Sequence, residues 1–406
     1  MKEKILILGA DGYIGWSLMM YLGIRNQGPV IGIDDLSRRR IVKEVNAKSL
    51  IPIKSMDKRI KVYQKVFNKK NLTFHHIDIT RSRQEIFNEN KSIFCSTDMM
   101  SNRSLEGILV EHIPSVIIHL AQMPSAPYSM KSLEHAAWTT KNNVIGNLNL
   151  LWLMKEFCPN THLIKMGTMG EFGTPNIDIP EGFFEIEYKG RKDTLPFPRQ
   201  AGSFYHWAKV FESQHTFFAN KIWGLKATDL MQGVVYGVTT DESKKDSRLA
   251  SRFDYDGVFG TAMNRFVVQA MCDEPLTPFG KGGQTRGFLN IKDSMKCFEL
   301  YIKNPPKKGE YRIFNQIVEQ HRTVTELAEM VKRIGETKGY KPVIQSIDNP
   351  RVEMEEHYYN VETSKLIGLG LEPCDFEEEI GRMFNDLKPY AHRIKKEIIR
   401  PKINWR

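Results

Sequence analysis

Short apolar runs recur along the first half of the chain and alternate with segments in which apolar residues have helical spacing. An all-apolar run of this length is typical of a strand that is buried on both faces of a parallel sheet. Apolar residues have helical spacing over 138–157, which predicts a helix there. The polar segment 37–71 is predicted to contain helix that lies over an edge of the sheet. Because strands separated by helices require right-handed crossovers, the pattern predicts an α/β fold with a doubly wound parallel sheet. The predicted strands lie at 5–8, 30–33, 72–79, 115–121 and 162–167.

The pattern loosens from Thr174 onward. Gly, Pro and Asp cluster over 173–202, which predicts a loop insertion at about 174–202 above the carboxyl edge of the sheet. We therefore expect a main domain over 1–236 and a smaller lobe over 237–406, which returns one strand near 286–293 to the main sheet. Further predicted elements are an exposed loop at 90–107, a helix at 203–220, a strand at 225–232, and helices at 323–335 and 376–387.

Three glycines, Gly9, Gly12 and Gly15, follow the first apolar run directly. A tight glycine turn between a strand and a helix brings backbone N–H groups close to a pyrophosphate at the helix N-terminus. Asp34 closes the next apolar run about twenty residues on, where a carboxylate accepts the ribose hydroxyls of NAD. The arginines at 38–40 could hold the extra phosphate of NADP, but Asp34 occupies the ribose position itself. The sequence therefore favours NAD in a Rossmann-type domain.

Other residues near these elements are predicted to line the same cofactor site. Asp78 closes the third apolar run, where an acid or its apolar neighbour often meets the adenine edge. The remaining predicted cofactor residues are Tyr13, Ile14, Asp35, Ser37, Arg38, Ile79, Asn143 and Val235.

Composition narrows the class of protein. The 406 residues are 41% hydrophobic and 26% charged, as in ordinary soluble proteins. A net charge of +10 is compatible with nucleic-acid binding. No basic run is interleaved with aromatic residues, however, so we favour a solvated basic surface and an anionic ligand. Five widely spaced cysteines without a CxxC pair predict neither a zinc site nor a disulfide framework. With no leader and no membrane-length apolar stretch, we expect a cytosolic protein.

Tyr205 and Lys209 lie four residues apart on one predicted helix, which puts both side chains on the same face. A lysine ammonium and a cationic nicotinamide both favour the phenolate, so we expect the tyrosine pKa to be lowered. Such a phenol acts as a general base toward a sugar hydroxyl. Thr168 follows the fifth strand directly, at the edge of the sheet where ligands bind, and its hydroxyl could relay the same proton.

These motifs resemble the extended short-chain dehydrogenase/reductase family, whose members share Gly9-x-x-Gly12-x-x-Gly15, Thr168 and Tyr205-x-x-x-Lys209. Longer segments are similar, almost end to end, to the UDP-sulfoquinovose synthase group of that family. They include SAPYSM (125–130), GTMGEFGTPNIDI (167–179), SFYHWAK (203–209), FDYDGVFGTAMNRF (253–266), GKGGQTRG (280–287) and NPRVEMEEHYYN (349–360).

The resemblance implies conversion of UDP-glucose and sulfite to UDP-sulfoquinovose and water with tightly held NAD. It also implies a homodimer formed through helices at about 138–157 and 203–220. Tyr205 would take the proton of the 4-hydroxyl, and the 4-ketone would then permit loss of water across C5 and C6 before sulfite adds. Related 4,6-dehydratases carry Asp-Glu after the threonine, where this chain has Met169-Gly170. We therefore predict His206 as the proton-transfer residue for these steps, with Glu171 as a second candidate.

The resemblance also suggests substrate-binding residues. Arg286 and Arg351 match positions that hold phosphate oxygens in relatives, and a guanidinium suits that role. Plant-type members have arginine where this chain has Pro124. Gln232 is predicted to bind the sugar, and Thr261, Ala262 and Asn264 the uracil or ribose. Glu353 and Glu356 complete the predicted substrate site.

Two other functions stay open at this point. A UDP-glucose 4-epimerase needs only NAD, Thr168 and Tyr205, and a 4,6-dehydratase is less favoured because the Asp-Glu pair is missing. A non-catalytic NAD-sensing or RNA-binding protein could keep the fold, although such proteins usually lose part of the Thr–Tyr–Lys set.

Overall fold

The computed structural model describes residues 1–81, 84–88, 91–96, 104–196, 199–318, 322–352 and 358–405, with the backbone alone at 84–88 and 91–96. Its strands are β1 (Ile5–Leu8), β2 (Val30–Asp34), β3 (Leu72–His76), β4 (Gln84–Asn88), β5 (Lys91–Ser96), β6 (Val116–His119), β7 (His162–Met166), β8 (Phe184–Tyr188), β9 (Arg191–Leu195), β10 (Lys226–Gln232), β11 (Val234–Tyr236), β12 (Thr285–Arg286), β13 (Phe288–Asn290), β14 (Tyr311–Gln316) and β15 (Arg322–Thr323).

Helices alternate with these strands. They are α1 (Tyr13–Arg25), α2 (Ser37–Glu44), α3 (Met56–Phe67), α4 (Leu105–His112), α5 (Ala126–Ser129), α6 (Leu133–Thr140), α7 (Gly146–Phe157), α8 (Phe204–Trp223), α9 (Ala262–Met271), α10 (Ile291–Lys303), α11 (Val324–Thr337), α12 (Ser364–Gly368) and α13 (Phe376–Leu387). Among the residues that the structure describes, no helix combines the length and apolar character needed to cross a bilayer.

Within the described part of the chain, seven parallel strands form the main sheet in the order β14-β10-β7-β6-β1-β2-β3. Every residue of β1 and β6 is buried, as expected for strands covered on both faces. The strand order reverses between β1 and β6, and ligands of such sheets bind beyond the carboxyl ends of the strands at that point. The predicted α/β doubly wound fold is confirmed.

Helix α8 carries two of the predicted site residues, and local sequence fixes where it begins and ends. The Ser203 hydroxyl accepts the backbone N–H of His206, which caps the first turn. Gly224 ends the helix at φ 68°, a conformation that glycine adopts without steric cost. Tyr205 and Lys209 therefore sit in the first two turns of a rigid, twenty-residue helix beside the sheet edge.

A second core lies in the latter half of the chain, where α9, α11 and α13 pack together around apolar side chains such as Phe266, Val331 and Phe384. The Thr323 hydroxyl and the Glu326 carboxylate cap α11 reciprocally. The division of the chain at 236 stays a prediction.

Several predicted elements differ from the structure. The strand that the second half returns to the main sheet is β14, whereas β13, inside the predicted 286–293, pairs with β11. The predicted loop insertion contains the antiparallel hairpin β8–β9. The predicted loop at 90–107 contains β5 and the start of α4, and 97–103 lie outside the described residues. The predicted helix at 138–157 begins at Leu133 as α6 and continues into α7 through a π-helical turn.

Candidate active site

The glycine turn after β1 forms one wall of a cavity, which we call cavity A, at the carboxyl edge of the sheet. Gly9 adopts φ +88°, and a Cβ there would lie 2.6 Å from the backbone of Leu120. A Cβ on Gly15 would lie 2.0 Å from the Gly9 carbonyl oxygen. Side chains are therefore excluded at both positions, and the backbone stays open to a ligand at the start of α1.

Asp34 lines cavity A at the end of β2. Its carboxylate accepts the backbone N–H groups of Asp11 at 2.9 Å and Leu36 at 2.7 Å. Burial, and then the neighbouring carboxylates Asp11 and Asp35, raises the pKa of Asp34 to about 7. Because an adenosine ribose presents hydroxyl donors, this carboxylate suits a ribose without a 2′-phosphate.

The three arginines after β2 each pair with a carboxylate. Arg38 bonds to Asp254 at 2.8 Å, Arg39 to Asp11 at 2.6 Å, and Arg40 to Asp35 at 3.5 Å. These pairings leave Asp34 facing the cavity, in agreement with the preference for NAD.

Cavity A brings together most of the predicted cofactor residues: Gly9, Gly12, Tyr13, Ile14, Gly15, Asp34, Asp35, Ser37, Arg38, Asp78, Ile79, Tyr205 and Lys209. As a correction, Asn143 and Val235 do not line it. The Asn143 amide bonds to the backbone N–H and C=O of Met123, which orients the loop after β6. Val235 packs into the core from β11. Arg252 and Asp254, which the sequence pattern did not predict, also reach cavity A from the second half of the chain.

Tyr205 and Lys209 both face cavity A, and burial shifts the pKa of each. Burial, and then the carboxylates of Glu212 and Glu171, raises the pKa of Tyr205 above its ordinary value, and a hydrogen bond with Thr168 works against this rise. Burial also lowers the pKa of Lys209 to about 8. Within the protein itself, burial and two carboxylates favour the neutral phenol, and the expected lowering of its pKa, which depends also on the charge of the nicotinamide, stays a prediction.

Lys209 is held away from solvent by its own contacts. Its Nζ donates to the Met166 carbonyl at 2.6 Å and lies 3.6 Å from the Glu212 carboxylate. Burial raises the pKa of Glu212 to about 7. The lysine is thus fixed at the end of β7 and one helical turn from Tyr205, which matches the predicted pairing.

His206 lies on the other side of Tyr205 and faces two further cavities. Its Nδ1 is 3.0 Å from the Ser203 hydroxyl, which already accepts the His206 backbone N–H. The serine proton is therefore available to Nδ1, and the ring proton is then left on Nε2. Burial, and then Arg351 and Arg286, lowers the pKa of His206 to about 3, so the imidazole is neutral near pH 7.

Gly170 makes room for this histidine. A Cβ at Gly170 would lie 2.4 Å from Cδ2 and 2.5 Å from Nε2 of His206. The Met169-Gly170 pair therefore does more than remove the acid and base of ordinary dehydratases. It also lets the imidazole occupy the space beside Thr168.

Glu171 does not reach any of these cavities, which corrects its prediction as a second acid or base. It is fully buried, and its carboxylate accepts the Thr168 backbone N–H at 3.3 Å. The other oxygen accepts from Ser213 at 2.9 Å and Arg199 at 3.2 Å. Glu171 therefore holds the turn that presents Thr168.

Two cavities meet at His206. Cavity B is bounded by Thr168–Gly170, Gly173, Gln200 and Gln232, and cavity C by Pro124, Thr261, Ala262, Arg265 and Phe279. Both are lined by His206, Arg286, Arg351, Val234 and Trp405. Tyr205 lines cavities A and C. The pair Tyr205–His206 thus stands where all three cavities converge.

The predicted substrate residues fall into three groups. Arg286, Arg351, Thr261 and Ala262 line the cavities as predicted. Gln232 lines cavity B, but its amide bonds to Gln316 and to the Gly233 carbonyl. As a correction, Asn264 lines neither cavity, because its amide donates to the Asp254 carbonyl. Glu353 and Glu356 lie outside the described residues.

Comparison with known proteins agrees with this geometry. Residues 5–315 match the NAD dependent epimerase/dehydratase family. The chain belongs to this family. It is 43% identical over 408 residues to the chloroplastic UDP-sulfoquinovose synthase of Spinacia oleracea. That alignment covers all of this chain and 80% of the spinach protein. It is 42% identical over 407 residues to the UDP-sulfoquinovose synthase of Sulfolobus acidocaldarius, covering 99% of this chain and 98% of that protein.

Solved structures of family members share the fold. The UDP-glucose 4-epimerase of Thermotoga maritima with UDP-glucose aligns with a TM-score of 0.65 at 21% identity, covering 95% of this chain and 98% of that chain. The UDP-glucuronic acid 4-epimerase of Bacillus cereus with UDP-glucuronic acid and NAD has a TM-score of 0.65 at 19% identity, covering 96% and 99%. The resemblance to UDP-sulfoquinovose synthases that the sequence motifs indicated is confirmed by the two relatives above.

Proposed function

We propose that this chain converts UDP-glucose and sulfite to UDP-sulfoquinovose and water, with NAD in cavity A. The observation that carries the proposal is the convergence of three cavities at Tyr205 and His206, with Met169-Gly170 beside them. A cofactor, a nucleotide and a hexose each have a separate space there. Bound NAD would supply a reversible hydride acceptor for C4.

The substrate is placed by charge and shape. We assign the uridine to cavity C, because Phe279 and Arg265 stack there with 4.8 Å between guanidinium carbon and ring centre. Arg286 and Arg351 line both cavities and would bind the diphosphate between them. The hexose then extends into cavity B toward Thr168 and His206.

Each proton transfer has a group within this arrangement. Tyr205 takes the proton of the 4-hydroxyl, and Thr168 relays it through its hydrogen bond to the phenol. The C4 ketone acidifies C5–H, because the resulting carbanion is an enolate. In the elimination His206 would give its Nε2 proton to the departing 6-hydroxyl, which leaves as water, and the same nitrogen would take the C5 proton, so the imidazole ends neutral. Bisulfite then adds across the alkene, its sulfur bonding to C6 and its proton passing through His206 to C5, before Tyr205 returns its proton to O4.

The experiment is incubation of the purified holoenzyme with UDP-glucose, with and without sulfite, followed by mass spectrometry and anion-exchange separation. A sulfonated UDP-sugar that forms only with sulfite supports the proposal. UDP-galactose as the sole product in both incubations would instead identify a 4-epimerase. A UDP-4-keto-6-deoxy sugar would identify a 4,6-dehydratase.

The segment that ends in Trp405 closes the substrate site and was not predicted. Its backbone N–H donates to the Pro350 carbonyl at 3.0 Å, and its ring lies 5.2 Å from the Arg351 guanidinium carbon. We expect Trp405→Ala to raise KM for UDP-glucose on the order of tenfold, since it removes the ring beside the Arg351 guanidinium and opens both cavities. The catalytic constant should change less. The matched control is Lys402→Ala, at an exposed position of the same segment. An unchanged KM in the Trp405 variant would contradict this role.

We also propose a homodimer through α8 and the helices beside it. Apolar side chains stand exposed at helical spacing on α8, among them Trp207, Phe211, Phe218 and Ile222, at 39–58% exposure. Such a continuous apolar face is typical of an interface, and a second copy of the chain presents the same face.

We expect the double substitution Phe211→Glu with Phe218→Glu to convert a dimer into a monomer, because it places charges on the apolar face. Sedimentation equilibrium measures the mass. The control is Val343→Glu, which alters an equally exposed apolar residue of the second half. A variant that keeps the dimer mass would exclude this interface.

A further inference from the structure

We propose that Arg252, together with Arg38, binds the diphosphate of the dinucleotide from the second half of the chain and so closes cavity A. The inference rests on the proposed use of NAD. It adds to the glycine turn a second, cationic wall built from residues far apart in the sequence.

The segment around Arg252 is fixed against the helix that carries the glycine turn. The Trp16 indole donates to the Leu249 carbonyl at 2.7 Å, and the hydroxyls of Ser17 and Ser251 lie 2.8 Å apart. The Tyr13 phenol donates to the Gly237 carbonyl at 2.7 Å. These bonds hold residues 249–254 beside the first turns of α1, where a dinucleotide diphosphate binds in this architecture.

The two guanidiniums share one carboxylate. Nε and Nη2 of Arg252 bond to Asp254 at 2.9 and 3.2 Å, and Nη2 of Arg38 bonds to the same carboxylate at 2.8 Å. Although burial alone would raise it, Arg252 and Arg38 hold the pKa of Asp254 well below its usual range. Two guanidiniums therefore converge on the Asp254 carboxylate beside the wall of cavity A.

Donors of this cluster are left for a ligand. Arg252 is only 4% exposed, and its Nη1 has no hydrogen-bond partner within the described ranges. The same holds, among the residues described, for Nε and Nη1 of Arg38, whose guanidinium carbon lies 3.1 Å from the centre of the Phe259 ring. Both arginines line cavity A. A buried, unpaired donor is destabilising, and an anionic ligand that accepts from it removes that cost.

Asp256, the neighbouring acid, makes its hydrogen bonds to the backbone. Asp256 accepts the backbone N–H groups of Val258 and Phe259 through one oxygen, both at 2.9 Å. Burial, and then the charge of Asp254, raises the pKa of Asp256. One oxygen of Asp256 is thus used in a turn, and the other, like Nη1 of Arg252, has no hydrogen-bond partner among the residues described.

Enclosure from both halves explains why the cofactor would stay bound through a whole turnover. Release of NAD would require residues 249–254 to separate from α1 or the arginine contacts to break. A reaction in which the same cofactor is reduced and then reoxidised needs this retention, because exchange midway would strand the keto intermediate.

The test measures dinucleotide binding without any sugar substrate. We expect Arg252→Met, which keeps side-chain length but loses charge and donors, to purify with less NAD and to bind added NAD at least tenfold more weakly by calorimetry. Arg252→Lys keeps a cation beside Asp254 but lacks the second donor, so it should fall between. The control Arg248→Met removes an exposed arginine of the same segment that does not line cavity A.

A second pair of probes separates charge from packing. ADP carries the diphosphate and adenosine does not, so Arg252→Met should lose affinity for ADP while its affinity for adenosine is unchanged. Equal losses for both probes, or unchanged NAD binding in both folded variants, would overturn the proposal. Because no sugar is present, a wrong assignment of the reaction would leave these results unaffected.

Discussion

Replacing Tyr205 with phenylalanine should abolish turnover of UDP-glucose while NAD stays in place. The phenol is the group at which cavities A and C meet, and it is hydrogen-bonded to Thr168. Without its oxygen, the 4-hydroxyl has no base when C4 is oxidised. Positioned general bases contribute on the order of 10²–10⁴ in rate, so a loss of this size is expected in kcat.

Phenylalanine is a close test because it keeps the ring. The Tyr205 and His206 rings pack with 4.9 Å between their centres, and that contact would survive. The measurement is single-turnover absorbance of the reduced nicotinamide after UDP-glucose is added, alongside NAD content by mass spectrometry. Normal NAD content with no reduction is the expected result. Reduction at the wild-type rate would show that another group takes the proton.

The parts of this site that the sequence predicted are those encoded within one local stretch. Gly12 and Gly15 both lie close to the Gly9 carbonyl within one turn, and Tyr205 and Lys209 share one helix face. Spacing alone carries such information, since helix and strand periods are fixed. The parallel sheet could be predicted for the same reason, because each buried strand is a continuous apolar run.

What could not be predicted depends on contacts between distant segments. Arg252 reaches cavity A only because Leu249 and Ser251 bond to Trp16 and Ser17, more than two hundred residues earlier. No periodicity marks such a pairing. The one available signal was compositional, since 240–290 is rich in Arg, Asp and Gly.

The errors have a similar origin. Asn264 and Glu171 stand next to residues that do line the cavities, but their side chains satisfy buried backbone groups instead. Burial also acts on the pKa of Tyr205 against the expected direction, because desolvation depends on the surrounding fold and not on the neighbour four residues away.

Substitution of His206 by glutamine should divide the reaction into two stages. Tyr205, Thr168 and Lys209 remain, so oxidation at C4 should proceed at close to its normal rate. Loss of the 6-hydroxyl should slow by about 10²–10⁴, because the amide cannot give up a proton to the departing oxygen. The keto form of the nucleotide sugar would then accumulate, which rapid quenching, borohydride trapping and mass spectrometry detect.

The neutral imidazole beside Gly170 makes this prediction specific. Ser203 can donate to Nδ1, so the proton lies on Nε2 beside Gly170, where cavity B is proposed to hold the hexose, and glutamine preserves a donor of similar reach without acidity. His215→Gln changes another histidine of α8 that lines none of the three cavities, and it should behave as the unmodified protein does. If the His206 variant released water from the keto intermediate at full rate, a different group would have to supply that proton, and the space left by Gly170 would serve packing alone.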